Sequence, residues 1–239
     1  MKYYKKYLKY KIKYINLKHK IQFGGAIPDD KMEIIEKSIN IILMNNFYDL
    51  LDLQYEVGGY IDLSTNKMNI TIKGAAQATI IQQTVMPLDD NMVNFHTHPN
   101  FIESIGDTSN DLMTKQHQEN LNKVRQVASY ADLHTCLNAS LFYDNVDVII
   151  NKKGLFFYYA QKELIDFIKS NDQDEQQTII NEYIIPEISY IMHLIASSEH
   201  TDESILLNIF QENIRKVFKM EKENGEMVNL GFETYFHKL

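Results

Sequence analysis

Two histidines separated by a single residue carry the clearest chemical signal in this chain of 239 residues. The short apolar run 92–96 predicts a strand that leads into His96-Thr97-His98-Pro99. Residues two apart on a strand point to the same face, so both imidazoles are expected to face one cavity. Imidazole nitrogen is a common ligand of Zn²⁺, and the pair therefore predicts a metal site.

A third ligand is expected from the acidic residues that follow the histidines. Asp111 lies in the first turn of the next predicted helix, for which Asp107 or Thr108 can act as N-cap. Together with His96 and His98, Asp111 would leave the fourth tetrahedral position of Zn²⁺ open to water. An open position is the arrangement of a catalytic zinc site rather than a structural one.

A carboxylate also stands upstream of the histidines. Glu56 lies at the start of the predicted strand 55–63 and is followed closely by Gly58 and Gly59. Glycines within a strand allow another backbone or a substrate to approach closely. Glu56 is therefore a candidate site residue on a strand that a substrate could reach.

These features together resemble the JAMM (MPN+) metalloprotease family. The family's pattern is an upstream Glu, then His-Ser/Thr-His-Pro, then Ser-x-x-Asp. The resemblance implies that His96, His98 and Asp111 are the zinc ligands. It also implies that Glu56 is the general acid and base, and that Thr108 takes the place of the family's serine.

The spacing of this motif departs from the family pattern. Twelve residues separate His98 from Asp111, two more than the family's usual ten, and Thr108 replaces the serine. A second register exists, because Ser104-Ile105-Gly106-Asp107 also reads Ser-x-x-Asp with eight residues between His98 and Asp107. Asp111 is preferred, and Asp107 remains the alternative third ligand.

The resemblance carries further implications for fold and function. The family's fold is a mixed β-sheet flanked by helices, an α/β architecture similar to that of cytidine deaminases. Its best-known activity is the hydrolysis of isopeptide bonds to ubiquitin-like modifiers, so the expected partner is a protein carrying ubiquitin or a ubiquitin-like modifier. The expected cofactor is Zn²⁺. The resemblance covers about residues 55–159.

Two other functions remain open at this point. One is a non-catalytic interaction scaffold of the same fold, although all the ligand types are present here. The other is a metal-dependent phosphoesterase of the PHP type, whose sequences also contain His-x-His. Such enzymes recruit further His and acidic ligands from later strands, and the sequence shows no matching series.

The elements that must position these residues form three predicted segments. Residues 1–27 read as a basic amphipathic helix, 28–169 as the metalloprotease-like domain, and 170–239 as a mainly helical extension. Within the domain we predict a helix from Asp29 or Asp30 to about Asn45. The predicted strands cover 55–63, 68–73, 78–86, 92–96, 134–143, 147–150 and 155–159. Turn residues 64–67 join the first two strands as a hairpin, and turn residues 151–154 join the last two.

The distribution of charge limits the possible partners. Residues 1–22 contain eight Lys and no acidic residue, although the whole chain has a formal net charge of −8. The residues after 22 are acidic overall, which argues against a nucleic-acid groove among them. Residues 1–22, the basic arm, could bind a partner or an anionic surface. Cys136 is the only cysteine, which excludes an intramolecular disulfide and favours a reducing compartment. No apolar run reaches the roughly 20 residues of a membrane-spanning helix.

The basic arm carries a second resemblance. The run from Met1 to Lys11 is rich in Tyr and Lys and leads to Gly24-Gly25. It looks like the leader found on many proteins of giant DNA viruses of amoebae, as does the Asn, Ile and Lys bias of the chain. This resemblance implies a viral protein in the host cytoplasm or in the virion.

Overall fold

The computed structural model describes residues 27–45, 47–53, 56–73, 91–98, 119–120, 127–200, 202–222 and 225–239. The basic arm, the predicted strand 78–86, Thr108, Asp111 and the alternative ligand Asp107 lie outside these residues. The interpretations made for them remain predictions.

The first described helix, α1 (Asp29–Met44), begins and ends where the sequence predicts. Asp29 and Asp30 occupy its first turn, where acidic side chains interact favourably with the positive end of the helix dipole. Ile35, Ile39 and Ile42 are fully buried at helical spacing. A four-residue helix, α2 (Tyr48–Leu51), follows and leads into the first strand.

Six described strands form one mixed sheet. They are β1 (Val57–Asp62), β2 (Lys67–Lys73), β3 (Met92–Thr97), β4 (Asp147–Asn151), β5 (Gly154–Ala160) and, at the C-terminus, β8 (Phe232–Lys238). Their order across the sheet is β2-β1-β3-β4-β5-β8. The β3–β4 pair is parallel, and the other four pairs are antiparallel. The predicted mixed sheet flanked by helices is therefore confirmed at this level.

Two hairpins that the sequence predicts are present in the sheet. In the β1–β2 turn, Asn66 adopts a left-handed conformation with φ 57°, which asparagine tolerates better than most residues. In the β4–β5 turn, the Asn151 side chain accepts hydrogen bonds from the backbone N–H of Lys153 (2.8 Å) and of Gly154 (3.0 Å). Local turn chemistry thus sets both registers.

One predicted strand is wrong. Residues 134–143 were expected to be extended, but the chain forms helix α3 (Tyr130–Ser140) and then a turn. A capping box at Ser129 and Asp132 fixes the start of this helix. Its buried residues, Leu133, Cys136, Leu137 and Ser140, recur at steps of three, one and three, which is helical spacing.

The C-terminal part adds both helices and strands. The helices are α4 (Lys162–Lys169), α5 (Gln173–Thr178), a π-helical segment (Ile179–Ile184), α6 (Ile185–Ala196) and α7 (Glu203–Ile214). A small hairpin, β6 (Phe218–Glu221) and β7 (Met227–Leu230), precedes β8. Strand β8 then pairs with β5 along its whole length, from Gly154 opposite Lys238 to Ala160 opposite Phe232.

The apolar core lies on both faces of the sheet. The side chains of β5 alternate between the faces: Leu155, Phe157 and Tyr159 pack in the α1 cluster, and the intervening side chains pack against α3, α4, α6 and α7. A strand buried on both faces is expected at an interior position of a sheet covered by helices on each side. Among the described residues, no helix combines the length and apolarity needed to cross a membrane.

Candidate metal centre

The two histidines lie at the C-terminal end of β3 with their rings facing one another. Their Nε2 atoms are 3.1 Å apart, and the ring centroids are 4.9 Å apart. His96 is buried and His98 is half-buried. The backbone N–H of His98 donates to the carbonyl of Ile150 at 3.0 Å, so β4 holds this end of β3 in place.

Asp132 of α3 completes the cluster. Its Oδ1 lies 3.4 Å from Nε2 of His96, and its Oδ2 lies 3.9 Å from Nε2 of His98. The capping box fixes the carboxylate, because the backbone N–H of Ser129 donates to Oδ2 at 2.7 Å. In return, Oγ of Ser129 accepts from the backbone N–H of Asp132 at 3.3 Å. The first turn of α3 thus aims this carboxylate at the two imidazoles.

The spacing of these three donors fits a shared metal ion. One ligand atom from each of His96, His98 and Asp132 lies within 4.8 Å of the others. Ligands of a tetrahedral ion at about 2.0–2.2 Å are separated from one another by roughly 3.3–3.5 Å. Nε2 of His96 lies 3.1 Å from Nε2 of His98 and 3.4 Å from Oδ1 of Asp132, which is close to that range. The group could therefore hold a metal ion.

Electrostatics at the cluster favour a cation. Burial by itself would lower the pKa of His96, but the negative charges of Asp132 first, and then of Glu56 and Asp147, together outweigh burial and raise it above its ordinary value. Burial would likewise raise the pKa of Asp132, yet His96 and His98 hold it well below its usual range. Each group is thus stabilised by opposite charge, and a bound metal ion would supply the positive charge that a proton supplies to His96.

Glu56 belongs to the same end of the sheet. It immediately precedes β1 and is half-buried. Its negative charge contributes to the raised pKa of His96. Strand β1 is positioned by its antiparallel pairing with β3, in which Gly58 lies opposite His96.

A buried polar network lies behind the cluster on the face of the sheet that α3 covers. The Asn94 side chain donates to Asn145 Oδ1 at 3.1 Å, and the Asn145 side chain donates to Asp147 Oδ2 at 2.9 Å. Burial raises the pKa of Asp147 to about 6. Cys136 is also fully buried, and burial raises the pKa of its thiol well above the usual range. Its thiol is therefore a poor nucleophile.

The site residues expected from the sequence fall into two groups. The structure brings His96 and His98 together and places Glu56 just before the strand that pairs with β3, whereas Thr108 and Asp111 lie outside the described residues together with Asp107. Asp132 was not expected. A signal for it exists, because Ser129-Tyr130-Ala131-Asp132 also reads Ser-x-x-Asp, with 33 residues between His98 and Asp132. The motif is hard to recognise in the sequence because Asp132 is far from His98 along the chain, although the fold brings the two residues together.

Comparison of the chain with models of protein families, with curated proteins and with solved structures gives no match in any of the three. The function must therefore be argued from the chemistry of the cluster.

Proposed function

We propose that this chain is a zinc-dependent peptidase of the JAMM type, which hydrolyses peptide or isopeptide bonds to ubiquitin or a ubiquitin-like modifier. The convergence of His96, His98 and Asp132 at one end of the sheet carries the proposal. Two imidazoles and one carboxylate are a donor set suited to Zn²⁺, and three protein ligands leave a position for the substrate or water.

The metal would be held by Nε2 of both histidines and by the Asp132 carboxylate. Bound zinc supplies Lewis-acid chemistry, lowering the pKa of a water molecule towards about 7 and polarising the substrate carbonyl. The second carboxylate oxygen of Asp132 stays bonded to the Ser129 N–H, which keeps the ligand oriented.

Glu56 has the role of proton carrier in this proposal. Its carboxylate takes a proton from the attacking water and returns it to the leaving amine, which in an isopeptide is a lysine side chain. Such a group must be close to the metal without being a ligand. The position of Glu56, immediately before the strand that pairs with β3 and outside the three-ligand cluster, supports that role.

A hydroxyl donor to the oxyanion is the remaining part of the mechanism. Ser129 stands three residues before Asp132, the same interval that separates the serine from the aspartate in the JAMM pattern. With Asp132 as the ligand, the chain has the family's serine rather than Thr108. The interval between His98 and the aspartate then lengthens from the family's usual ten residues to 33, so residues 99–128 would contain an insertion of 23 residues relative to the family.

The substitution Glu56→Gln tests the proposed reaction. We expect it to lower the cleavage rate of linked di-ubiquitin and of modifier fusions by about 100-fold or more, because it removes the proton carrier. Zinc content, measured by atomic absorption, should stay near one per chain because no ligand is removed. Glu203→Gln is the matched control, because Glu203 pairs with Lys153 at the surface.

Several results would contradict the proposal. Equal rates for the wild-type protein and Glu56→Gln would exclude Glu56 as the proton carrier, and cleavage that survives chelation would exclude the metal. Hydrolysis of a phosphodiester without hydrolysis of any peptide would favour a phosphoesterase. A zinc-loaded protein that cleaves none of these substrates would favour an interaction scaffold.

A further inference from the structure

Thr97, the residue between the two histidines, makes a hydrogen bond that links β3 to the start of β1. Its side chain is fully buried, and its Oγ1 accepts from the backbone N–H of Val57 at 2.9 Å. Val57 is itself buried, with 1% of its surface exposed, and it directly follows Glu56. The bond therefore lies one residue from the proposed proton carrier.

This bond replaces a backbone bond at the point where two strands separate. The pairing of β1 with β3 ends at Gly58 opposite His96. Beyond that pair, β3 continues along β4, with Thr97 opposite Ile150. The N–H of Val57 thus bonds to a side-chain oxygen of β3 where a continued ladder would use a backbone carbonyl.

On its other side, this end of β1 pairs less regularly with β2. Val57 pairs with Lys73 of β2, but the register shifts between Gly58 and Gly59. Such an irregularity bends a strand and locally disrupts its ladder. The Thr97 hydroxyl therefore ties Val57, at the end of β1, directly to the strand bearing both histidines.

We propose that Thr97 is a positioning residue, which acts through Val57 to hold Glu56 at the metal centre. This inference rests on the proposed function. A misplacement of about 1 Å can cost a reaction about 100-fold, so one bond beside the proton carrier can affect turnover strongly. A hydroxyl is required at position 97, because an aliphatic side chain of the same shape cannot accept the hydrogen bond from Val57.

Three variants separate positioning from general stability. Thr97→Val removes the acceptor and keeps the shape, whereas Thr97→Ser keeps the acceptor. Thr234→Val is the matched control, because Thr234 of β8 is buried and its Oγ1 accepts from the Gln211 side chain at 3.1 Å, within the C-terminal part of the chain. Both valine variants lose one buried hydroxyl, and only Thr97 adjoins the metal centre.

In steady-state assays, Thr97→Val is expected to lower kcat by about tenfold or more, with KM and zinc content unchanged. Thr97→Ser should retain kcat within about threefold, since it restores the same hydrogen bond. Thr234→Val should lower the unfolding midpoint but leave kcat unchanged. A Thr97→Val enzyme with wild-type kcat, or an equal loss of kcat in Thr234→Val, would overturn the inference.

A second readout does not depend on turnover. In the Co²⁺-substituted protein, the visible spectrum changes with pH as the group at the open position ionises, and a nearby carboxylate shifts the midpoint of that change. Thr97→Val should shift the midpoint in the same direction as Glu56→Gln, whereas Thr97→Ser and Thr234→Val should not. A midpoint that moves in Glu56→Gln but not in Thr97→Val overturns the positioning role alone. A midpoint unchanged in Glu56→Gln overturns the proposed role of Glu56 itself.

Discussion

At the scale of single residues, Asp132 differs from a surface carboxylate in being held on both oxygens. One oxygen lies against His96, and the other accepts from the N–H of Ser129. A side chain fixed in this way loses little conformational freedom when it binds a metal. The pattern next to the histidines predicts Asp111 as the ligand, with Asp107 as the alternative, so the three aspartates can be compared directly.

We expect Asp132→Asn to weaken zinc binding by at least about 100-fold, because even partners of the ligands are worth 10–100-fold in affinity. Asp111→Asn and Asp107→Asn should bind zinc like the wild-type protein. Affinity would be measured by competition with a chromogenic chelator at pH 7. Zinc loss in Asp111→Asn or Asp107→Asn, with normal binding in Asp132→Asn, would restore the assignment that the local pattern favours.

Asp147 predicts an unusual dependence of stability on pH. Its pKa is raised to about 6 by burial, from 3.8 for an ordinary aspartate. Between about pH 4 and pH 6 the unfolded chain releases a proton that the folded chain retains, so this residue lowers stability as pH rises through that window. A tenfold change in proton affinity corresponds to about 1.4 kcal/mol. The free energy of unfolding therefore falls by roughly 2–3 kcal/mol, and the decrease is complete above pH 6–7.

The substitution Asp147→Asn should abolish this contribution, because an amide does not ionise. Urea unfolding at pH 4.5 and pH 7 would be compared for the wild-type protein and the variant. Asp166→Asn is the control, because Asp166 is exposed and forms an ion pair with Lys162 on the surface of α4. Parallel stability curves for the wild-type protein and Asp147→Asn would contradict the prediction.

At the scale of elements, the sequence predicts what is encoded locally. The hairpins β1–β2 and β4–β5 were predicted because turn residues separate apolar runs, and α1 because its isoleucines recur at helical spacing. Helix α3 was missed because His134-Thr135-Cys136 is typical of a strand when read alone. The capping box that starts this helix lies just upstream, at Ser129 and Asp132.

The difference between local and long-range structure also explains which residues of the site the sequence predicts. His96 and His98 share one strand end, so their proximity follows from the two-residue period of a strand. Asp132 comes from a different element, and its proximity depends on how α3 packs on the sheet against β4 and β5. A search confined to residues near the histidines cannot find such a ligand. The positioning role inferred for Thr97 likewise requires knowledge of the point where β1 and β3 separate.

The N-cap of α3 is expected to affect both the stability of the protein and its affinity for zinc. Ser129→Ala removes the cap and should lower the free energy of unfolding by about 1 kcal/mol. It should also weaken zinc binding, because fraying of the first turn displaces Asp132. Asp202→Ala is the matched control: Asp202 caps α7, its side chain accepts from the Ser204 N–H at 2.8 Å, and α7 supplies none of the three donors. Chemical denaturation and chelator competition would be measured on both variants, and equal zinc affinities would contradict the prediction.

At the scale of the whole molecule, the C-terminal residues are joined to the sheet that carries the histidines. Arg215 at the end of α7 forms an ion pair with Glu233 of β8 at 2.8 Å. The Gln161 side chain donates to the same glutamate at 2.8 Å and accepts from the N–H of Gly231 at 2.8 Å. These half-buried polar contacts, together with the backbone bond from the N–H of Gln161 to the carbonyl of Gly231 at 2.9 Å, link the segment after β5 to the start of β8.

The apolar contacts of this region extend the same connection. Cys136 of α3 and Ile149 of β4 lie in the core on one face of the sheet. The same core includes Phe210 of α7 and Phe232 of β8. Both phenylalanines are fully buried, and the ring of Phe210 meets Phe156 of β5 edge to face at 6.1 Å between centroids. Removal of such side chains from a core costs about 3–5 kcal/mol each.

A chain truncated after Lys169 is therefore expected not to fold. It would lack β8, which pairs with all seven residues of β5, and the helices α6 and α7 that cover one face of the sheet. The loss of two buried phenylalanines alone costs about 6–10 kcal/mol, as much as the 5–15 kcal/mol that stabilises a typical domain. Circular dichroism and two-dimensional NMR of the truncated chain should show no cooperative unfolding and little dispersion of amide signals. It should also fail to bind zinc at the wild-type affinity, because Asp132 is placed by packing of α3 on the core that the truncation removes. Cooperative unfolding of the truncated chain with a midpoint near that of the full chain would show instead that residues 170–239 are a separable extension.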